Sequence, residues 1–169
     1  MKIQKVILAL ATFAAMSAVP ADGAEKTFGL RAGYNTRNES ALAGLFFQYG
    51  FSEHFRLSPN VDYIFQHDDV DALSINCNVH MPLKLTQSAK TRIYPLAGLN
   101  YTSWNYHHTE QSERETDDVT TRRNRFGLNA GAGFEIRATS SLKISIEAKA
   151  TLIKSYSSAT ISAAIGYVF

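Results

Sequence analysis

Few residues of this 169-residue chain are spaced to do chemistry. Ser103 and His107 share a parity, as a nucleophile and its base would need to. Along a strand, however, four residues span about 13 Å, far beyond the ~3 Å that proton transfer requires. Only a bend would join them. His107, His108 and Glu110 are metal-ligand types, but adjacent histidines on a strand point to opposite faces. Asp68, Asp69 and Asp71 offer oxygens without the spacing of a calcium loop. Cys77 is the sole cysteine and has no partner for an internal disulfide. These patterns predict no catalytic residue, no metal site and no cofactor.

Two charged sets remain. Arg31, Arg56, Arg92, Lys143 and Lys149 accompany Asp62, Glu135 and Glu147. If buried together, such charges must pair and hydrogen-bond or they destabilise the fold. Arg122, Arg123 and Arg125 form a second set, with Glu113, Glu115, Asp117 and Asp118 just before them. Guanidinium groups of this kind bind phosphate in bidentate fashion.

The elements that must position these residues have a period of two. Apolar parity runs through Phe28–Tyr34, Ala43–Phe51, Phe55–Phe65, Leu73–Leu83, Ile93–Tyr101, Phe126–Ile136, Leu142–Leu152 and Ala159–Phe169. No charge or amide falls on that parity in any of the eight. The opposite parity holds the first charged set, together with glycine, serine and asparagine. A soluble barrel has no reason to concentrate glycine on its polar face. A membrane barrel turns its apolar parity to lipid and crowds small polar residues into the lumen. Aromatic residues gather at both ends of the segments. Phe28, Tyr49, Phe51, Phe55, Phe134, Tyr167 and Phe169 mark one edge; Tyr34, Tyr63, Phe65, Tyr101 and Phe126 mark the other. Connections on the first edge are short, and residues 102–125 form a long excursion on the second. That excursion is either a polar loop or a hairpin with acidic outgoing and basic returning residues.

Lys2 and Lys5 precede an apolar run from Val6 to Val19, and small residues follow. This is the pattern of a secretory signal over residues 1–23, cut after Ala21 or Gly23. The run is shorter than the roughly 18 residues a membrane helix needs. Cleavage takes the net charge from +2 to 0 or +1. That balance excludes a dedicated nucleic-acid binder. Mean hydropathy of −0.15 excludes a bundle of membrane helices and leaves a membrane β-barrel open.

The chain ends Ile165-Gly166-Tyr167-Val168-Phe169, with two aromatic residues on one face. This resembles the C-terminal signal read by the bacterial outer-membrane assembly machinery. With Phe126-Gly127-Leu128-Asn129-Ala130-Gly131-Ala132-Gly133 and Tyr94-Pro95-Leu96-Ala97-Gly98, the mature chain resembles the small eight-stranded outer-membrane barrels. OmpX-like, OmpA-barrel-like and opacity-type surface proteins belong to that group. The resemblance implies an all-β fold: an eight-stranded antiparallel up-and-down transmembrane β-barrel over residues 24–169, in the outer membrane of a Gram-negative bacterium.

The expected protein is a monomer and not an enzyme, a surface-exposed structural or adhesin-like barrel with a side-chain-filled lumen. The alternatives are a lipid-acting enzyme and a narrow solute or ion pathway. Arg31, Arg56, Asp62, Arg92, Glu135, Lys143, Glu147 and Lys149 are expected to form a luminal ion-pair network. Arg122, Arg123 and Arg125 are expected to contact lipopolysaccharide, and residues 107–121 a surface macromolecule. Tyr167 and Phe169 are expected to be read by the assembly machinery.

Overall fold

The structure, a computed structural model, describes residues 25–85, 90–112 and 115–169, with the side chains of 108–119 outside that description. The expected signal segment and its cleavage site lie outside the described residues. The elements are β1 (Lys26–Asn35), β2 (Ser40–Gly50), β3 (Arg56–His67), β4 (Val70–His80), β5 (Leu83–Lys84), β6 (Thr91–Ser112), β7 (Glu115–Arg137), β8 (Leu142–Leu152) and β9 (Ser158–Val168). All neighbours are antiparallel. β1 pairs with β9 and β4 with β6, so eight long strands close into a barrel. β5 is a two-residue addition against Ile93 and Arg92 of β6.

Closure follows from the alternation. An edge strand exposes unpaired backbone groups, and none can be tolerated in lipid. The last bonds are made at the chain ends, where the Lys26 amide donates to the Phe169 carbonyl and the Phe169 amide donates back. The apolar parity faces outward as expected, with Leu99, Phe126, Leu128 and Ile161 among the most exposed large apolar side chains. Glu147 and Lys149 are buried inward while Ile146 and Ala148 are exposed.

β2 departs from the expected pattern. Phe47 was expected on the lipid wall and is instead buried, at 1% exposure. The β2–β3 ladder skips Phe47 and Gln48, whose places oppose Pro59 and Ser58. Proline has no amide to donate, which accounts for the lost rung at Pro59. Its neighbour Phe46 points into the lumen. A Cβ on Gly29 or Gly166 would collide with the Phe46 ring, so two glycines make room for one aromatic.

The connections divide by edge. The tight turns at 51–55 and 138–141 lie at the end that carries the chain termini. At the other end Asp68 and Asp69 take positive φ angles of 47° and 59°, which aspartate tolerates better than most residues. These two acids shape the β3–β4 turn. β6 and β7 are paired rung by rung from Thr102 and Arg125 out to Ser112 and Glu115, so these two stretches form the arms of a hairpin rather than an irregular loop. At 22 residues β6 spans roughly 73 Å, about twice the 11-residue strands beside it. The register overturns the expected pairing of outgoing acids with returning arginines: Glu115, Asp117 and Asp118 lie on β7, the strand of the arginines, opposite Ser112, Glu110 and Thr109; Glu113 lies outside the described residues.

Candidate functional site: the lumen and its outer mouth

The lumen is layered along the barrel axis. Nearest the termini, Arg56 holds Glu135 through two bonds of 3.0 and 2.8 Å. Arg92 and Lys143 lie 3.8 and 3.9 Å from the same carboxylate. Lys143 also donates to Thr27 at 3.0 Å and to Gln48 at 2.5 Å. Glu25 closes this layer from below, against Lys143 at 3.7 Å and against Arg137. Burial opposes ionisation of the Glu25 carboxyl, but Lys143 and Arg137 overcome it and hold it below the usual range.

The next layer is built on Arg31, whose Nε lies 3.3 Å from Asp62 and whose Nη2 lies 3.4 Å from Glu147. Lys149 reaches within 4.0 Å of Asp62. The Tyr94 hydroxyl donates to Glu147 at 3.3 Å. The Tyr94 ring stacks on His80 at 4.6 Å and lies 5.2 Å below the Arg56 guanidinium, tying the two layers together. Gly133 sits under that ring, where a Cβ would meet it at 2.2 Å. All eight charged residues expected in the lumen therefore lie there, each within 4.0 Å of at least one opposite charge in the set.

Sequence reading passed over Glu25, Tyr94 and Phe46. Glu25 has the parity of Thr27 and Arg31, a signal that could have found it. Beside the charged layers lies an amide layer. Asn76 donates to Asn60 at 2.8 Å, Asn100 to Asn76 at 2.8 Å, and Asn129 to both Asn76 and Asn78. The cavities among these groups are about 10 Å³ each, the size of one water.

At the outer mouth the luminal parity turns apolar. Leu42, Ile64, Ala72, Trp104, Ile153 and Tyr156 pack into one buried cluster, with Val70 and Tyr106 against it. Trp104 continues the luminal face of β6, opposite to Tyr101. Guanidinium groups cover this plug. Arg37 lies 4.2 Å from the Tyr156 ring centre and 5.8 Å from that of Trp104, and Arg125 lies 5.3 Å from Tyr156. The hydrogen bond from Tyr106, followed by Arg123 and Arg125, lowers the Tyr156 phenol from its usual range.

The three arginines expected to act together do not share a face. Arg123 pairs with Trp104 and Arg125 with Thr102, on the luminal parity. Arg122 pairs with Asn105 on the outer wall, where its Nε donates to Asn105 Oδ1 at 3.1 Å. Consecutive strand residues alternate sides, so such a triplet must split. Beside Arg122 on the same wall, Asn105 donates to Asp71 at 2.8 Å, and His107 Nε2 lies 2.6 Å from Asp71. Thr120 Oγ1 lies 3.4 Å from His107 Nδ1. Ser103 and His107 stay four residues apart on an unbroken strand. Cys77 is exposed on the wall, and Tyr167 and Phe169 stack there at 6.3 Å.

The fold is shared with solved outer-membrane barrels. The N-terminal barrel of Pseudomonas aeruginosa OprF is 16% identical, with a TM-score of 0.66 over 86% of this chain and 97% of its own. Neisserial surface protein A is 13% identical, with a TM-score of 0.68 over 89% of this chain and all of its own. Ail, the attachment invasion locus protein of Yersinia pestis, is 13% identical, with a TM-score of 0.61 over 86% of this chain and 97% of its own. No curated protein sequence matches the chain. The model of the outer membrane protein β-barrel domain matches residues 6–169. With apolar residues outside, paired charges inside and a closed ring of eight long strands, the chain belongs to the outer-membrane protein β-barrel domain family and is located in the outer membrane.

Proposed function

We propose that this barrel is a non-enzymatic, monomeric surface protein of adhesin-like type, secreted through the signal segment at residues 1–23. The observation that carries this reading is the β6–β7 hairpin, which stays paired far beyond the wall that the other strands build. A structure so extended presents residues 107–121 to a macromolecule outside the cell. The mouth adds a charged platform. Among the described residues, no carboxylate lies within ion-pair distance of Arg37, Arg123 or Arg125. Ail, a neighbour in fold, has been solved with the heparin analogue sucrose octasulfate. A polyanionic glycan is the class of partner that such a platform fits.

The filled lumen supports a structural plug over a solute pathway. The enzymatic alternative needs Ser103 and His107 together, and an extended β6 keeps them apart. Of the three arginines, Arg122 at the wall keeps the lipopolysaccharide contact, and Arg123 and Arg125 at the mouth belong to the glycan platform. Replacing residues 107–121 with a tight turn should abolish binding of cells to immobilised sulfated glycan while leaving the heat-modifiable folded barrel at normal levels. Undiminished binding sinks the contact-surface reading. Tyr167 and Phe169 serve assembly. Deleting Phe169 should cut the inserted fraction severalfold, and unchanged insertion removes that role.

A further inference from the structure

The outer wall of β4, β6, β7 and β8 carries a furrow of about 520 Å³ lined by Ile75, Cys77, Leu99, Phe126, Leu128 and Leu152. Its lining is apolar and opens toward lipid, so it fills with hydrocarbon. What distinguishes it from any other dent in the wall is what stands above it. The rungs of the β6–β7 ladder on this face run Leu99–Leu128, Tyr101–Phe126, Ser103–Asn124, Asn105–Arg122 and His107–Thr120. Successive rungs are about 6.7 Å apart. Moving outward, the wall changes from aliphatic to aromatic, then to small polar, then to a guanidinium. The Tyr101 and Phe126 rings meet at 5.0 Å and mark the interface between the two regimes.

Arg122 is exposed, and among the described residues Asn105 engages its Nε. No carboxylate among the described residues pairs with it. Asp71, a described acid on this face, is occupied by Asn105 and His107. Among the described residues nothing engages the two Nη groups, which face outward at headgroup depth in the fork geometry that matches a phosphate.

We propose that this column is a docking site for one molecule of lipid A, with an acyl chain in the furrow and a phosphate on Arg122. The proposal deepens the lipopolysaccharide reading and rests on it. It assigns the lipid contact to Arg122 alone and excludes Arg125, which points over the mouth. Charge and shape are both required: the furrow without Arg122 takes any acyl chain, and Arg122 without the furrow takes any anion.

The test compares lipid A retained by the purified full barrel after detergent exchange, measured by native mass spectrometry. Arg122→Gln should lower retention about tenfold, and Leu128→Trp, which fills the furrow, should do the same. Arg125→Gln should leave it unchanged. Equal retention by wild type and Arg122→Gln overturns the site. So does an equal loss in Arg125→Gln, which would mean unspecific attraction of anions. Competition with phosphatidylglycerol supplies the second arm; displacement of lipid A at equimolar phosphatidylglycerol overturns the lipid A assignment. The underlying wall reading is checked separately with a bimane on Cys77 in vesicles containing brominated lipid. Quenching with no lipid A retention removes the site alone, whereas absence of quenching removes the lipid-facing wall beneath it.

Discussion

The two ends of the lumen are filled by opposite means. Toward the chain termini, Arg56, Glu135, Arg92, Lys143 and Glu25 interlock as paired charges. At the outer mouth, Leu42, Ile64, Ala72, Trp104 and Ile153 exclude charge altogether, and the arginines lie over them rather than among them. A buried charge network is held in place by mutual need: removing one member strands the others. An apolar plug under exposed arginines asks of them a ring contact and no buried ion pair. The inner end is thus constrained by stability, and the outer end is available for recognition.

That contrast sets the scale of several substitutions. Arg56→Ala strips Glu135 of its bidentate partner and should cost about 3–5 kcal/mol, read from urea unfolding in lipid vesicles. If Arg56→Met with Glu135→Leu recovers most of that loss, the pair supplies specificity more than stability. A cost below ~1 kcal/mol for Arg56→Ala would mean that the layer is hydrated and not interlocked. Trp104→Ala should cost about 3 kcal/mol through the cavity it leaves in the plug. Single-channel conductance should stay unchanged, because the charged layers beneath hold water-sized cavities. A rise in conductance would place the seal in the apolar plug.

Glu25→Gln is milder and depends on pH. The Glu25 carboxyl is held below its ordinary value of 4.5, so it stabilises the folded barrel above that pH. The contribution disappears as pH falls through the folded-state value. Wild type should therefore be more stable than Glu25→Gln at pH 7, and the gap should close on acidification below about 4.5. A gap that persists at low pH would mean that Glu25 acts by packing. Arg125→Gln should change stability least, within about 0.5 kcal/mol, while weakening glycan binding. A larger loss of stability would show that the crown is structural after all and would erase the contrast between the two ends.

Much of this architecture was legible in the residues. Eight runs of period two, such as Leu142 to Leu152, fix which side chains face lipid, because a strand offers only two sides. The same parity brought Arg31, Asp62, Glu147 and Lys149 into one interior. Local sequence could not say how that interior is partitioned. Phe46 and Tyr94 share the luminal parity, but their rings need the absent Cβ atoms of Gly29, Gly166 and Gly133, which arrive from other strands. Phe47 has the parity of the wall and is buried nonetheless, where the ladder beside Pro59 is interrupted.

Arg122, Arg123 and Arg125 look like one basic cluster in the chain. Alternation sends Arg122 to the wall and the other two to the mouth. Parity along β7 already separates them, but their partners come from elsewhere: Asn105 from β6, Tyr156 from the β8–β9 turn. Composition and periodicity depend on each strand alone and so survive in one dimension. Partnership depends on the register between strands distant in sequence, and closure of the barrel sets that register.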